Sequence, residues 1–133
     1  MSSVVQSAPT SRWMLWTGYV VSAIPVLMLI SSGVMKFLKP PSFVEEFERL
    51  GYGENLALII GILEIGCTII YLIPRTAVLG AILLTGYLGG ATATHVRIGD
   101  LSFFAPVIVG VLVWLGLYLR DSRVRALAPF RQT

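Results

Sequence analysis

Four apolar runs, at about 13–38, 56–73, 76–96 and 103–119, constrain this chain more than any other feature. Each is near the roughly 20 residues that an α-helix needs to cross the hydrocarbon core of a bilayer. Strands are excluded as spanning elements, because the runs lack sustained period-2 alternation and an open strand would leave its backbone groups unpaired in lipid. The first run is also longer than the core of a cleaved leader, about 7 to 15 residues, and no Ala-x-Ala site follows it.

Composition narrows the function classes. Of 133 residues, 56% are hydrophobic and 13% charged, and the mean hydropathy is +0.82; a soluble domain carries about twice that charge. The single Cys67 and single His95 cannot build a dedicated metal cage, and one cysteine excludes an internal disulfide or a paired-thiol relay. The net charge of +3 comes from basic residues mostly at the edges of the apolar runs, where they carry topology rather than affinity for phosphate backbones. The expected partner is therefore the lipid bilayer and not nucleic acid.

Short links, Pro74 and Arg75 between the second and third runs and 97–102 between the third and fourth, force antiparallel neighbours. The expected fold is all-α, a four-helix transmembrane bundle with up-down-up-down topology over 13–120. A disordered tail, 1–12, precedes it and a basic tail, 121–133, follows. Arg12, Arg75, Arg120, Arg123, Arg125 and Arg131 fall on one side of such a bundle, and Lys36, Lys39, Arg49 and Arg97 on the other. The first set flanks span ends closely, which predicts a multi-pass protein of the cell membrane with both termini cytoplasmic. Glu45, Glu46, Glu48, Glu54 and Asp100 make the opposite face mildly acidic. Trp13, Trp16, Tyr19, Trp114 and Tyr118 gather at the cytoplasmic ends as an interfacial belt.

Between the first two runs, Pro40 and Pro41 stop the first helix, and Ser42 with Glu45 reads as a capping box opening a short helix over about 42–50. Phe43, Phe47 and Leu50 share one face of it, opposite Glu45, Glu46, Glu48 and Arg49, as in a helix lying among headgroups. Pro25 interrupts the first run, where Ser22 and Thr17 are placed to satisfy the freed carbonyl of Val21. In the third run Gly86, Gly90 and Thr94 repeat at i+4, beside Ala81, Thr85, Gly89 and Ala93. Small residues let helices approach closely in lipid, so this stripe reads as a packing seam, within the bundle or between two copies in a homodimer.

Glu64 is the most informative residue. It lies eight residues inside Leu56, about 12 Å of helix rise, near the middle of the hydrocarbon. An ionised carboxyl there must be protonated, paired or turned toward an enclosed polar space. Ala57, Gly61, Cys67, Thr68 and Tyr71 share its face while Leu58, Ile62, Ile65, Ile69 and Leu72 cover the other, so the polar face points into the bundle. Tyr87 sits at a matching depth in the third run. Lys36 either snorkels to the headgroups or turns inward to Glu64, with Ser32 and Gly33 leaving space beside it. His95, near the outer end of the third run, either bonds a carbonyl or joins the polar cluster.

The stretches SGVMKFLKP from Ser32, LGYGENLALIIGILEIG from Leu50 and ATATHVRIGD from Ala91 resemble the DoxX-like family over about 28–119. The resemblance implies a small four-helix integral membrane protein. It has a Gly and a Lys closing the first helix, a Glu in the second and a polar end to the third, here Gly33, Lys36, Glu64 and His95. Some relatives are associated with quinone-linked sulfur oxidation or with membrane complexes that protect against oxidative stress. Three functions compete. One is a noncatalytic subunit whose pocket, built from Glu64, Lys36, Tyr87 and His95, holds a quinone-like lipophilic molecule or docks a redox partner in a membrane complex. Another is a small proton-coupled transporter using Glu64 and a Pro25 hinge, and the third is a structural or assembly protein.

Overall fold

The computed structural model describes residues 10–53 and 55–127. Residues 1–9 of the expected tail, Glu54 of the acidic face, and 128–133 with Arg131 lie outside the described residues. Among the described residues the chain is helical, with no strand: α1 (Arg12–Leu38), α2 (Pro41–Arg49), α3 (Leu56–Leu72), α4 (Ala77–Arg97), α5 (Phe104–Arg120) and α6 (Ser122–Leu127). Single 3-10 turns at Pro74–Thr76 and Leu101–Phe103 lead into α4 and α5. Three stretches, Arg12–Leu38, Pro74–Arg97 and Leu101–Arg120, are long and apolar enough to cross a membrane, and the equally apolar α3 is shorter, at 17 residues. Its rise is about 25 Å.

Local chemistry sets the ends. The Ser11 hydroxyl accepts from the Met14 amide at 3.2 Å, so α1 starts inside the segment expected to be tail. At the other end Lys39 adopts a left-handed conformation (φ 52°), and its amide donates to the Met35 carbonyl at 2.9 Å. The capping box expected at Ser42 and Glu45 does not form. α2 starts one residue earlier, at Pro41, with Pro40 at the cap and no side-chain cap bond. A proline in the first helical position has no amide to satisfy and its φ is already helical, so no hydroxyl is needed there. Ser22 and Thr17 are likewise engaged elsewhere than beside Pro25. The Thr17 hydroxyl donates to the Trp13 carbonyl, and Ser22 Oγ accepts from Arg120 and lies beside the Tyr71 hydroxyl.

α1 packs against α3 and α5, and α4 packs against the same two helices, which closes a ring. Leu84, Val113 and Leu117 fill its interior. Ile24, Leu27, Leu58, Ile62, Leu79, Ile82, Ile108 and Val111 face outward. Helices apolar on both faces suit a lipid solvent and not water. Tyr71 is wholly buried and ties three helices together: its hydroxyl donates to the Val113 carbonyl at 2.7 Å and lies 3.1 Å from Ser22 Oγ. The Trp114 indole joins α5 to α4 by donating to Thr85 Oγ1 at 2.7 Å. Beyond α5, α6 folds back, and Arg125 donates to the Tyr118 and Leu119 carbonyls at 2.8 and 2.9 Å and to Thr10 Oγ1 at 2.7 Å. A cation thus satisfies the orphan carbonyls at the end of α5. The same contact brings the two ends of the described chain together.

The close approaches fall at glycines other than those of the expected seam. A Cβ on Gly80 would overlap the Tyr71 backbone, and one on Gly116 would overlap Ser22. A Cβ on Gly86, Gly89 or Gly90 meets nothing within 4 Å, so within the chain these residues make no close seam. The reason is geometric: Ala77, Gly80, Ala81, Leu84 and Leu88 form the buried face of α4, and the glycine stripe lies to one side of it. Gly80→Val is therefore expected to prevent stable folding or to cost several kcal/mol, whereas Gly86→Ala is expected to be neutral or to gain up to about 1 kcal/mol from helix propensity. Thermal unfolding of both variants in the same detergent checks this.

Candidate functional site

Ser32 and Lys36 lie four residues apart on one face of α1, where helical geometry stacks their side chains. Gly33 and Gly61 let α3 approach: a Cβ on Gly33 would overlap the Ile65 side chain, and one on Gly61 would crowd the Lys36 Cβ at 3.1 Å. This closeness brings Glu64 opposite Lys36. Lys36 Nζ donates to Glu64 Oε1 and to Ser32 Oγ, both at 2.8 Å, and Ser32 Oγ lies 3.3 Å from the same carboxylate oxygen. The Lys36 and Glu64 side chains are only 9% and 3% exposed. Lys36 therefore turns inward, and a snorkelling position among the headgroups is not what it adopts. The Thr68 hydroxyl donates to the Glu64 carbonyl at 2.7 Å, which keeps that polar group satisfied inside its own helix.

The ion pair opens onto a partly open cavity of about 540 Å³ lined by α1, α3, α4 and α5, with α2 over one end. Met28, Leu29, Ile60, Leu63 and Val109 give it apolar walls. This size and lining are those of a small-molecule site, a mostly apolar hollow with a few convergent polar groups. All the site residues singled out in the sequence reach it: Lys36 and Glu64 from two helices, and Gly86, Tyr87, Gly90, Thr94 and His95 from α4. The glycines leave room there instead of filling a helix contact. Tyr87 lines the same cavity as the Glu64 carboxyl. The Thr94 hydroxyl bonds the Gly90 carbonyl at 2.8 Å and lies 2.8 Å from the Tyr52 hydroxyl. His95 Nδ1 is buried without a hydrogen-bond partner among the described residues. Such a group loses its hydration without a compensating hydrogen bond from the described residues.

Two polar members of the site, Ser32 and Tyr52, are not picked out as such by reading along the chain. The i, i+4 relation of Ser32 to Lys36 is a legible signal for the first, because it puts both on one helix face. Tyr52 sits in a loop between two glycines, and nothing local reveals which way it turns. Phe43, Glu46 and Phe47 of α2 line the roof, with the Phe43 and Phe47 rings stacked at 5.0 Å and Lys36 Nζ 6.0 Å from the Phe43 ring.

Outside this roof lies a second set of charges. Arg49 pairs with Glu46 and, at 2.6 Å, with Asp100, while Arg97 donates to the Leu50 carbonyl. Asp100 also accepts from the Ser102 amide at 2.9 Å. The Arg49 hydrogen bond holds the Asp100 carboxyl down at about 2, and it lowers Glu46 as well, against a smaller opposing effect of desolvation. Both carboxylates raise the Arg49 guanidinium. A carboxyl with a depressed native pKa contributes fully above its unfolded value, so the Asp100 contact is complete near neutrality and is lost as pH falls toward about 2.

Chemically, the cavity offers an ammonium and a hydroxyl as donors and a carboxylate that fixes them. Among the described residues no group of three or more His, Cys, Asp or Glu is placed to hold a metal ion. Breaking a buried ion pair from one side strands the other charge, at a cost of about 3–5 kcal/mol, whereas replacing both partners with apolar residues is often neutral. Glu64→Leu alone is expected to lose that much stability and the Lys36→Met, Glu64→Leu double variant to recover most of it, as read by denaturant unfolding in micelles.

Residues 20–116 match the DoxX-like family. No curated protein and no solved structure matches the chain.

Proposed function

The chain belongs to the DoxX-like family of membrane proteins, and we propose that it is a noncatalytic membrane subunit whose cavity binds a quinone-like lipophilic ligand. The observation that carries this is the buried Lys36–Glu64 pair, with Ser32, opening on an apolar hollow. A quinone head group needs donors at its carbonyl oxygens inside an otherwise apolar site. Lys36 and Ser32 are donors held in place by Glu64, and Tyr87 and His95 supply further polar contacts on the opposite wall. Ligand binding of this kind also serves a partner that does the redox chemistry, within a membrane complex. The uncrowded face of α4 at Gly86, Gly89 and Gly90 favours contact with such a partner or with a second copy.

In this proposal the four longer helices form an up-down-up-down bundle crossing the membrane, with both termini cytoplasmic and α2 on the outer side. Supporting it are the arginine-rich end where Thr10 meets Arg125 and the near-constant sums of facing positions along neighbouring helices, such as Gly33 with Ile65 and Gly61 with Lys36. A membrane-impermeant thiol reagent on intact cells is expected to label a cysteine placed at position 45 and to spare one placed at position 12; the opposite pattern reverses the orientation.

The binding test uses the full chain in lipid nanodiscs and a photoreactive short-chain benzoquinone. Labelling is expected to saturate and to be competed by unlabelled short-chain quinone. Glu64→Gln, which unpairs Lys36, is expected to lower affinity by about tenfold or more, the scale of one charge-assisted hydrogen bond, with the variant still folded. Equal, saturable labelling of wild type and variant removes the ion pair from the site, and labelling that never saturates removes the quinone.

A further inference from the structure

α2 covers the cavity at the end away from the termini, yet its backbone makes no extensive contact with α1, α3, α4 or α5. Side chains hold it. On its lower face Phe43 and the buried Phe47 line the cavity, and Phe47 packs 5.1 Å from the Tyr52 ring. On its upper face Glu45, Glu48 and Arg49 are exposed. The helix is joined to the rest of the chain through two residues of positive φ, Lys39 (52°) and Gly51 (96°), so the chain turns sharply at both ends instead of continuing either neighbouring helix. The remaining ties run from this segment to α4 and the turn after it: Arg49 to Asp100, Arg97 to the Leu50 carbonyl, and Tyr52 to Thr94.

We propose that α2 is a hinged lid, clasped shut by Arg49 on Asp100 and by Arg97 on the Leu50 carbonyl, which swings about Lys39 and Gly51 to admit and release the occupant of the cavity. The identity of that occupant rests on the quinone proposal above; the opening itself does not. Two different electrostatic regimes make the lid separable from the floor. In the Arg49–Asp100 clasp the arginine is half exposed and the carboxylate 14% exposed, so the pair is reached by solvent from the arginine side and weakened by salt. The Lys36–Glu64 pair beneath is dry and escapes screening. The clasp can therefore break while the polar floor and the four long helices stay in place. Phe43 and Phe47 leaving the roof would uncover the ion pair and give a flat head group a way in that does not require the helices to part.

Amide hydrogen exchange on the full chain in phosphatidylcholine nanodiscs tests the opening without a ligand. Arg49→Gln and Asp100→Asn are each expected to speed exchange across 43–51 by roughly fivefold, the scale of one partly exposed ion pair. The carboxamide oxygen introduced by Asp100→Asn still accepts from the Ser102 amide, so the effect of that variant reports the clasp. The double variant is expected to be no faster than either single one, because the two residues share one contact. High salt is expected to mimic the variants in the wild type, with α1 and α3 around Lys36 and Glu64 unchanged. Unchanged exchange in 43–51, or acceleration spread over the whole chain, overturns the lid. With the photoreactive benzoquinone, opened variants are expected to bind and release faster with similar affinity, and wild-type rates in an opened variant overturn gating. Faster exchange in 43–51 without saturable probe binding supports the lid and strikes the quinone alone.

Discussion

A lysine and a glutamate facing each other inside a lipid-facing protein set the conditions for everything around them. Removing two charges from water carries a large free-energy cost, which is offset only when they meet at hydrogen-bond distance and their remaining valences are filled. Lys36 and Glu64 meet at 2.8 Å, with Ser32 completing the group. That requirement fixes the register of α1 against α3, since a slide of one helical turn along either helix would separate the charges by about 5 Å. It also accounts for Gly33 and Gly61, which let the two helices come close enough for the pair to form. The polar floor of the cavity is thus a by-product of the same contact that aligns two helices.

The rest of the molecule divides by where small side chains are used. At Gly80 and Gly116 the absence of a Cβ permits backbone approach, and the buried Tyr71 then bonds across to α5 and lies beside Ser22 of α1. At Gly86, Gly89 and Gly90 the absence of a Cβ leaves open space, at the cavity wall and along the side of α4. Because packing in lipid depends on van der Waals fit and not on expulsion of water, an unfilled stripe on a helix is open to lipid, a ligand or another helix alike. Charge divides in the same way: one pair is dry and structural, while Glu46 and Arg49 are half exposed at the rim and reach the mostly shielded Asp100 from the solvent side.

Much of the fold can be read along the chain because hydropathy and helix punctuation are local properties. Four apolar runs, two prolines after Lys39 and the glycines after Leu50 mark helices and breaks wherever the rest of the chain lies. The inward face of Glu64 is legible for the same reason, since helical periodicity assigns faces without any knowledge of the neighbours. Departures arise where two segments have to be compared. Gly86, Gly90 and Thr94 have the spacing of a packing stripe, and spacing alone does not tell an occupied groove from an empty one. The helix start at Pro41 displaces a plausible capping box because a single proline outweighs a hydroxyl that is free to bond elsewhere.

Residue by residue, the chain already specifies a helical membrane protein with one carboxylate set within an apolar helix, because the cost of an unpaired backbone or an unpaired charge in hydrocarbon belongs to each residue and its immediate neighbours. Assembly of the helices settled what local chemistry left open. It turned Lys36 inward, set Tyr52 against Thr94, left His95 Nδ1 without a partner among the described residues and laid α2 across the opening. Those outcomes depend on distances between helices, which are set by how glycines, aromatic rings and charges from separate segments fit together in three dimensions.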